Sequence, residues 1–161
     1  GGEYGNAVLA RLPIERWTNT HLRMLRPDEQ RGVLQLVLRV GARKLLFMNT
    51  HIDYRHDDAE RVANVAQFKE IIADQRLPIV FVGDFNSQPG SRTHAAMAEA
   101  FDDAWLLAGD GPGFTITSTN PSSRIDYVWV SKSAPLQALR AWVPTTEASD
   151  HLPLVVDLQW R

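Results

Sequence analysis

Three short polar clusters sit where apolar runs end or begin: Asn49-Thr50-His51 after one run, Gly83-Asp84-Phe85-Asn86 after a second, and Ser149-Asp150-His151 before a third. Polar groups at strand ends converge readily on one edge of a sheet, and loops held by a rigid sheet are the usual seat of catalytic groups. Two aspartates, an asparagine and two histidines offer hard oxygen donors for Mg²⁺ and an imidazole that can take a proton from water. Such a set suits phosphate-ester hydrolysis. Each residue also has a plain structural reading. Asp84 and Asn86 suit a turn after a strand, because both side chains bond their own backbone. His51 at a strand end can be a satisfied structural histidine, and Asp150 can cap a turn. Asp126 is harder to set aside, since it falls inside the apolar run Ile125-Asp126-Tyr127-Val128-Trp129, where an unpaired carboxylate costs several kcal/mol to bury. A histidine is the economical partner, because a carboxylate fixes the imidazole's tautomer and stabilises its protonated form.

These residues need a sheet to hold them. Gly32 to Val40 and Lys44 to Met48 are Val- and Leu-rich runs separated by Gly41-Ala42, which predicts an antiparallel hairpin. From Asp57 to Gln75 the period becomes helical, with Val62, Val65, Phe68 and Ile72 on one stripe and Asp57 with Glu60 as a capping-box-like start. Ile79 to Val82 reads as a strand buried on both faces. A shorter helix is expected over Arg92 to Ala100, then a Gly/Pro/Ser/Thr-rich loop from Gly109 to Ser123 with a brief strand at Phe114 to Thr117. Further strands are expected at Ile125 to Val130, Ala138 to Val143 and Leu154 to Trp160, and at Ala7 to Leu9 near the start. The mixture suggests an α/β layered sandwich rather than regular βαβ alternation.

Composition narrows the partners. With 161 residues, 44% of them apolar, the chain suits one globular domain, and a net charge of −2 argues against the broad basic face used to grip long nucleic acid. Any phosphate recognition must then be local. Zero cysteines exclude a disulfide scaffold, a thiolate metal site and a cysteine nucleophile. No apolar run approaches the roughly 20 residues that span a bilayer, so the domain reads as soluble. The compartment stays open, with the cytoplasm slightly favoured. Arg31, Arg124 and Asn6 are lesser candidates for touching a phosphate, the arginines reading as rim residues. His56 and His94 read as exposed helix-start residues, and the five tryptophans as mostly core or core-edge residues, with Trp105 and Trp129 able to line a cleft.

Taken together, GNAVLAR (Gly5 to Arg11), NTHIDY (Asn49 to Tyr54), GDFNSQPG (Gly83 to Gly90), RIDYVWV (Arg124 to Val130) and SDHLPLVVDL (Ser149 to Leu158) resemble, in order and spacing, successive signatures of the endonuclease/exonuclease/phosphatase superfamily. The resemblance implies the deoxyribonuclease I-like fold, a layered α/β/β/α sandwich with mixed, largely antiparallel sheets. It also implies a Mg²⁺-dependent hydrolase, with Mn²⁺ as a substitute, that cleaves a phosphodiester or phosphomonoester without a covalent intermediate. By the same resemblance His151 is the general base and Asp126 the carboxylate that orients it. Asp150 is a metal ligand beside the base. Asp84 and Asn86 position the nucleophile, the phosphate and in some members a second metal, and His51 binds the scissile phosphate or aids the leaving group. The substrate ranges over small molecules, lipid headgroups and nucleic acid, and the mildly acidic charge tilts the choice away from long duplex DNA.

One departure from the family pattern stands out. The superfamily fold has an earlier half that supplies an asparagine and a glutamate metal ligand, and neither has a counterpart here; Glu3, before the GNAVLAR run, does not match that glutamate. Residues 1–161 are therefore expected to be the C-terminal portion of a single domain, with Gly1-Gly2 a processing scar or the mark of a cut chain. Completion is expected from the missing half or from another copy by strand exchange. The rival readings are a non-catalytic interaction domain lacking the metal-ligand half, and a metal-independent esterase using Ser149 and His151. The second is disfavoured because adjacent strand residues point to opposite faces and no GxSxG elbow exists.

Overall fold

The hairpin forms as its residues dictate. β2 (Gly32–Val40) reverses through Gly41, whose φ of 61° costs glycine nothing, into β3 (Arg43–His51), pairing Val40 with Arg43 and Val33 with Thr50. The computed structural model describes residues 4–161, so Gly1-Gly2 and Glu3 lie outside the described residues. After β3 the chain forms α1 (Ala59–Ile71) and returns as β4 (Ile79–Asp84), parallel to β3. Then come α2 (Arg92–Ala98), β5 (Phe101–Asp103), α3 (Ala104–Ala108), β6 (Asp126–Ser131), β7 (Leu136–Trp142) and β8 (Val155–Trp160). Preceding β2 is β1 (Ile14–His21), and the large sheet runs β1-β2-β3-β4-β6-β5, with β7 and β8 forming a second, two-stranded sheet.

The alternation of side chains assigns the layers. On β4, Ile79 and Phe81 face one way and Val80 and Val82 the other; on β6, Tyr127 and Trp129 oppose Val128 and Val130. The first set packs beneath the helices with Val65, Phe68, Phe85 and Met97, and Phe68 meets Phe81 edge to face with ring centroids 4.8 Å apart. The second set packs against Leu136, Val156 and Leu158 of the small sheet. A strand buried on both faces is therefore an unbroken apolar run, as IVFV is. The result is the mixed α/β layered sandwich that the sequence implies.

Several expectations change. Ala7 to Leu9 is not a strand, and Leu9 is fully exposed. The neighbouring strand is instead β1, whose residues IERWTNTH are exposed on both faces and so carry no alternation to read. Glu60 makes no capping box. Its carboxylate accepts both contacts from the Leu25 N–H, at 2.9 and 3.0 Å, and pins the preceding loop to α1. His94 packs on Tyr127 and Trp129 rather than pointing to solvent, and Trp129 lies in the core, where most of the tryptophans are expected.

Candidate active site

Strand register builds the site. β3 pairs with β4 so that His51 lies opposite Asp84, and β4 pairs with β6 so that Asp84 lies opposite Asp126. Residues in one cross-strand row share a face. His51, Asp84 and Asp126 thus stand side by side across three strands, on the face that carries Val82 and Val128. Gly83 makes this approach possible. Its φ is 145°, and a Cβ there would overlap the Thr50 carbonyl oxygen. Just beyond, Asn86 takes a left-handed φ of 44°, a conformation asparagine tolerates. Its N–H donates to Asp84 Oδ1 at 2.8 Å and its Nδ2 to the Ile52 carbonyl at 3.0 Å.

His151 arrives from a separate segment. Leu152 N–H donates to the Thr115 carbonyl and Ser118 N–H to the Asp150 carbonyl, both at 2.7 Å, so the loop of residues 109–123 holds it in place. His151 Nδ1 meets Asp126 Oδ2 at 2.9 Å. Asp126 is the first residue of β6 and partly exposed rather than inside the strand, and its partner is a histidine 25 residues away. Donor atoms of Asp84, Asp126 and His151 all lie within 4.8 Å of one another. Asp150 stays outside this trio, exposed, with its Oδ1 accepting from the Ser149 hydroxyl at 3.2 Å. Ser149 Oγ also accepts from the His151 N–H and is not engaged with the imidazole, so the hydroxyl-nucleophile reading gains no support.

Electrostatics separates the members of the row. Burial, with the field of Asp126, pushes the Asp84 carboxyl up to about 6. Burial, then the positive charges of Arg31 and His151, push His51 down to about 4, so its 3.3 Å approach to Asp84 is not an ion pair at neutral pH. For His151 burial opposes the charged form, but the Asp126 hydrogen bond and the fields of Asp126, Asp84 and Asp150 outweigh it and raise its pKa. Arg31 is the influence that sequence reading underrated. It is buried rather than at a rim, donates to the Tyr4 hydroxyl at 2.6 Å, and lies over the rings of Tyr4 and Tyr54. The hairpin register, with Val33 opposite Thr50, brings the start of β2 to the end of β3, and the Arg31 charge acts on His51 from there.

The row opens into a cleft of about 480 Å³ lined by Asn6, Asn49, His51, Asp84, Asp126 and Leu154, among others. A larger hollow bounded by Ser118, Thr119, Thr145, Thr146 and Glu147 holds none of the candidate residues, and chemistry decides for the smaller one.

A model of the Endonuclease/Exonuclease/phosphatase family matches residues 1–151. The chain belongs to this family. Among family relatives, the uncharacterized protein YbhP of Escherichia coli strain K12 is 31% identical over 166 residues, an alignment covering 98% of this chain and 63% of YbhP. The chain thus spans less than two thirds of that relative's length. A functionally unknown conserved protein from Enterococcus faecalis V583 shares the fold with a TM-score of 0.82 at 21% identity, over 93% of this chain and 68% of that one. The mannosyl-6-phosphatase Bt3783 of Bacteroides thetaiotaomicron VPI-5482 superposes with a TM-score of 0.75 at 22% identity, covering 92% and 67%. The human Nocturnin catalytic domain, solved with a bound sulfate anion, gives 0.74 at 22%, covering 94% and 61%. These likenesses establish the deoxyribonuclease I-like fold. No helix among the described residues is long and apolar enough to cross a membrane.

Proposed function

We propose that this chain is the C-terminal, His151-bearing portion of a hydrolase that cleaves a phosphodiester or phosphomonoester by direct attack of water. The observation that carries the reading is the Asp126–His151 pair standing beside Asp84. With Nδ1 donating to Asp126, the imidazole's tautomer is set and Nε2 is left to take a proton from water. Asp126 then stabilises the imidazolium that forms. His51, neutral at working pH, supplies a hydrogen bond to the phosphate or the leaving oxygen without adding charge. Asn86, fixed by its bonds to the Asp84 carboxylate and the Ile52 carbonyl, orients the same group. The presence of a phosphatase among proteins of this fold supports keeping phosphomonoesters in the substrate range.

The donor set also fits a divalent cation. Asp84 and Asp126 press two carboxylates together at a half-buried position, a strain that a cation relieves, and oxygen donors suit Mg²⁺ or Mn²⁺. Asp84 would hold it beside Asp126, with Asn86 and Asp150 assigned to it by the family resemblance alone and further ligands expected from outside residues 1–161. When bound it would offset negative charge on the phosphate and the leaving oxygen.

The test uses the full-length protein with chromogenic phosphodiester and phosphomonoester substrates. His151→Ala is expected to lower kcat by roughly 10²–10⁴-fold with little change in melting temperature, and EDTA should abolish turnover until Mg²⁺ or Mn²⁺ is restored. Turnover that survives His151→Ala removes His151 as the base; turnover indifferent to EDTA removes the metal.

A further inference from the structure

Behind the row, on the helix-covered face of the sheet, lies an ion pair that the proposed chemistry does not use. Arg124 Nη2 meets Asp103 Oδ2 at 2.8 Å, and the two side chains are 2% and 1% exposed. No other ion pair among the described residues has both partners so far from solvent. Such a pair is a poor source of stability, since desolvation offsets the attraction unless every donor is met, and well-packed apolar residues often do as well. Arg124 Nε and Nη1 meet no acceptor among the described residues. What the pair supplies is attachment.

Asp103 gathers three elements. Its Oδ1 accepts from the Trp105 N–H at 3.0 Å, and its Oδ2 lies 3.3 Å from His94 Nε2 on α2, besides holding Arg124. The guanidinium lies 4.6 Å from the Tyr127 ring centroid. In turn the Tyr127 hydroxyl donates to the Ser87 carbonyl at 2.7 Å and reaches the Arg124 carbonyl at 3.3 Å. Ser87 directly follows Asn86 in the Asp84 loop, and Arg124 precedes Asp126 by two residues. The backbone carrying Asp84 and the backbone carrying Asp126 are therefore both fastened to one buried hub.

We propose that Arg124 is a positioning residue, held by Asp103, that sets where Asp126 stands against His151 and Asp84. The inference rests on the reading that this trio is the reactive centre. Its first readout is therefore chosen to be independent of turnover.

The decisive variant is Arg124→Met/Asp103→Leu in the full-length protein, which removes both charges and keeps apolar volume. Three quantities are measured: the melting temperature, the downfield proton NMR signal of His151 Nδ1–H in metal-free protein, and kcat against KM. The expected result is a melting temperature within about 5 °C of the parent, loss of the Nδ1–H signal, and kcat reduced roughly 10–100-fold with KM little changed. An Nδ1–H signal that stays in place overturns the inference whatever turnover does. A lost signal with undiminished turnover leaves Arg124 as the positioning residue and removes His151 from the reaction. Should the double variant not fold, Arg124→Lys decides. It keeps the charge pair but cannot cover Tyr127 in the same way; a displaced signal with kcat lowered about threefold or more supports the inference, and parental values for both overturn it.

Discussion

Asp84 is held at a cost that the rest of the molecule must carry. Its carboxyl is pushed up to about 6 by burial and by Asp126, so between about pH 4 and 6 the folded state binds a proton that the unfolded chain has released. Stability from this group is fully present below pH 4 and is lost as pH rises through about 6. At neutral pH the ionised carboxylate therefore opposes folding by about 3 kcal/mol at most. Asp84→Asn is expected to raise the melting temperature of EDTA-treated protein above pH 6, by an amount that shrinks to nothing near pH 4. The Asn86 N–H keeps an acceptor in the amide oxygen. Thermal melts across that range check the sign: a variant less stable than the parent at pH 7 would mean that Asp84 is already compensated in the metal-free protein. A group that destabilises the fold where it stands is a mark of a site kept for chemistry.

Among the elements, β4 carries most of the positional burden, because it alone pairs with both β3 and β6 and so joins His51 to Asp126. Gly83 is its vulnerable point. Gly83→Ala should destabilise the protein by about 1–3 kcal/mol from backbone strain alone, before the overlap with the Thr50 carbonyl is counted. Urea denaturation measures it, and a change below about 0.5 kcal/mol would show that β3 and β4 can move apart at that end. Much of this layer was readable. IVFV, with its glycine and aspartate, declared a central strand ending in a polar pair, and Asp126 inside an apolar run declared that it needed a partner. The unreadable parts share a physical cause. β1 lies at the sheet edge, exposed on both faces, so no burial imprints a period on its sequence. Arg124 finds Asp103 across 21 positions, and no local pattern marks a contact made through the core. Glu60 follows Asp57 at capping-box spacing yet bonds Leu25, because the loop lying over α1 offers a backbone N–H that is otherwise unmet.

At the scale of the molecule, large apolar side chains stand exposed near the sheet edges. Leu9 is fully exposed, Trp17 on β1 is 68% exposed, and the second sheet has two strands among the described residues. Large exposed apolar groups beside open sheet edges invite association. Residues 1–161 expressed alone are expected to self-associate and to show no metal-dependent turnover, whereas a protein of the length of YbhP should be well behaved and active. Light scattering and a phosphoesterase assay on both forms separate the cases, and an active monomer of residues 1–161 would contradict the need for an earlier half. The same architecture bears on the timing of activity. His51, Asp84, Asp126 and His151 share no helix or hairpin; they meet only when a parallel pairing, an antiparallel pairing and a loop bridge have all closed. Non-local pairings of this kind come late in folding. A nascent or partly refolded chain would therefore hold no part of the proposed site in working form, because its four side chains come together only once all three closures are made.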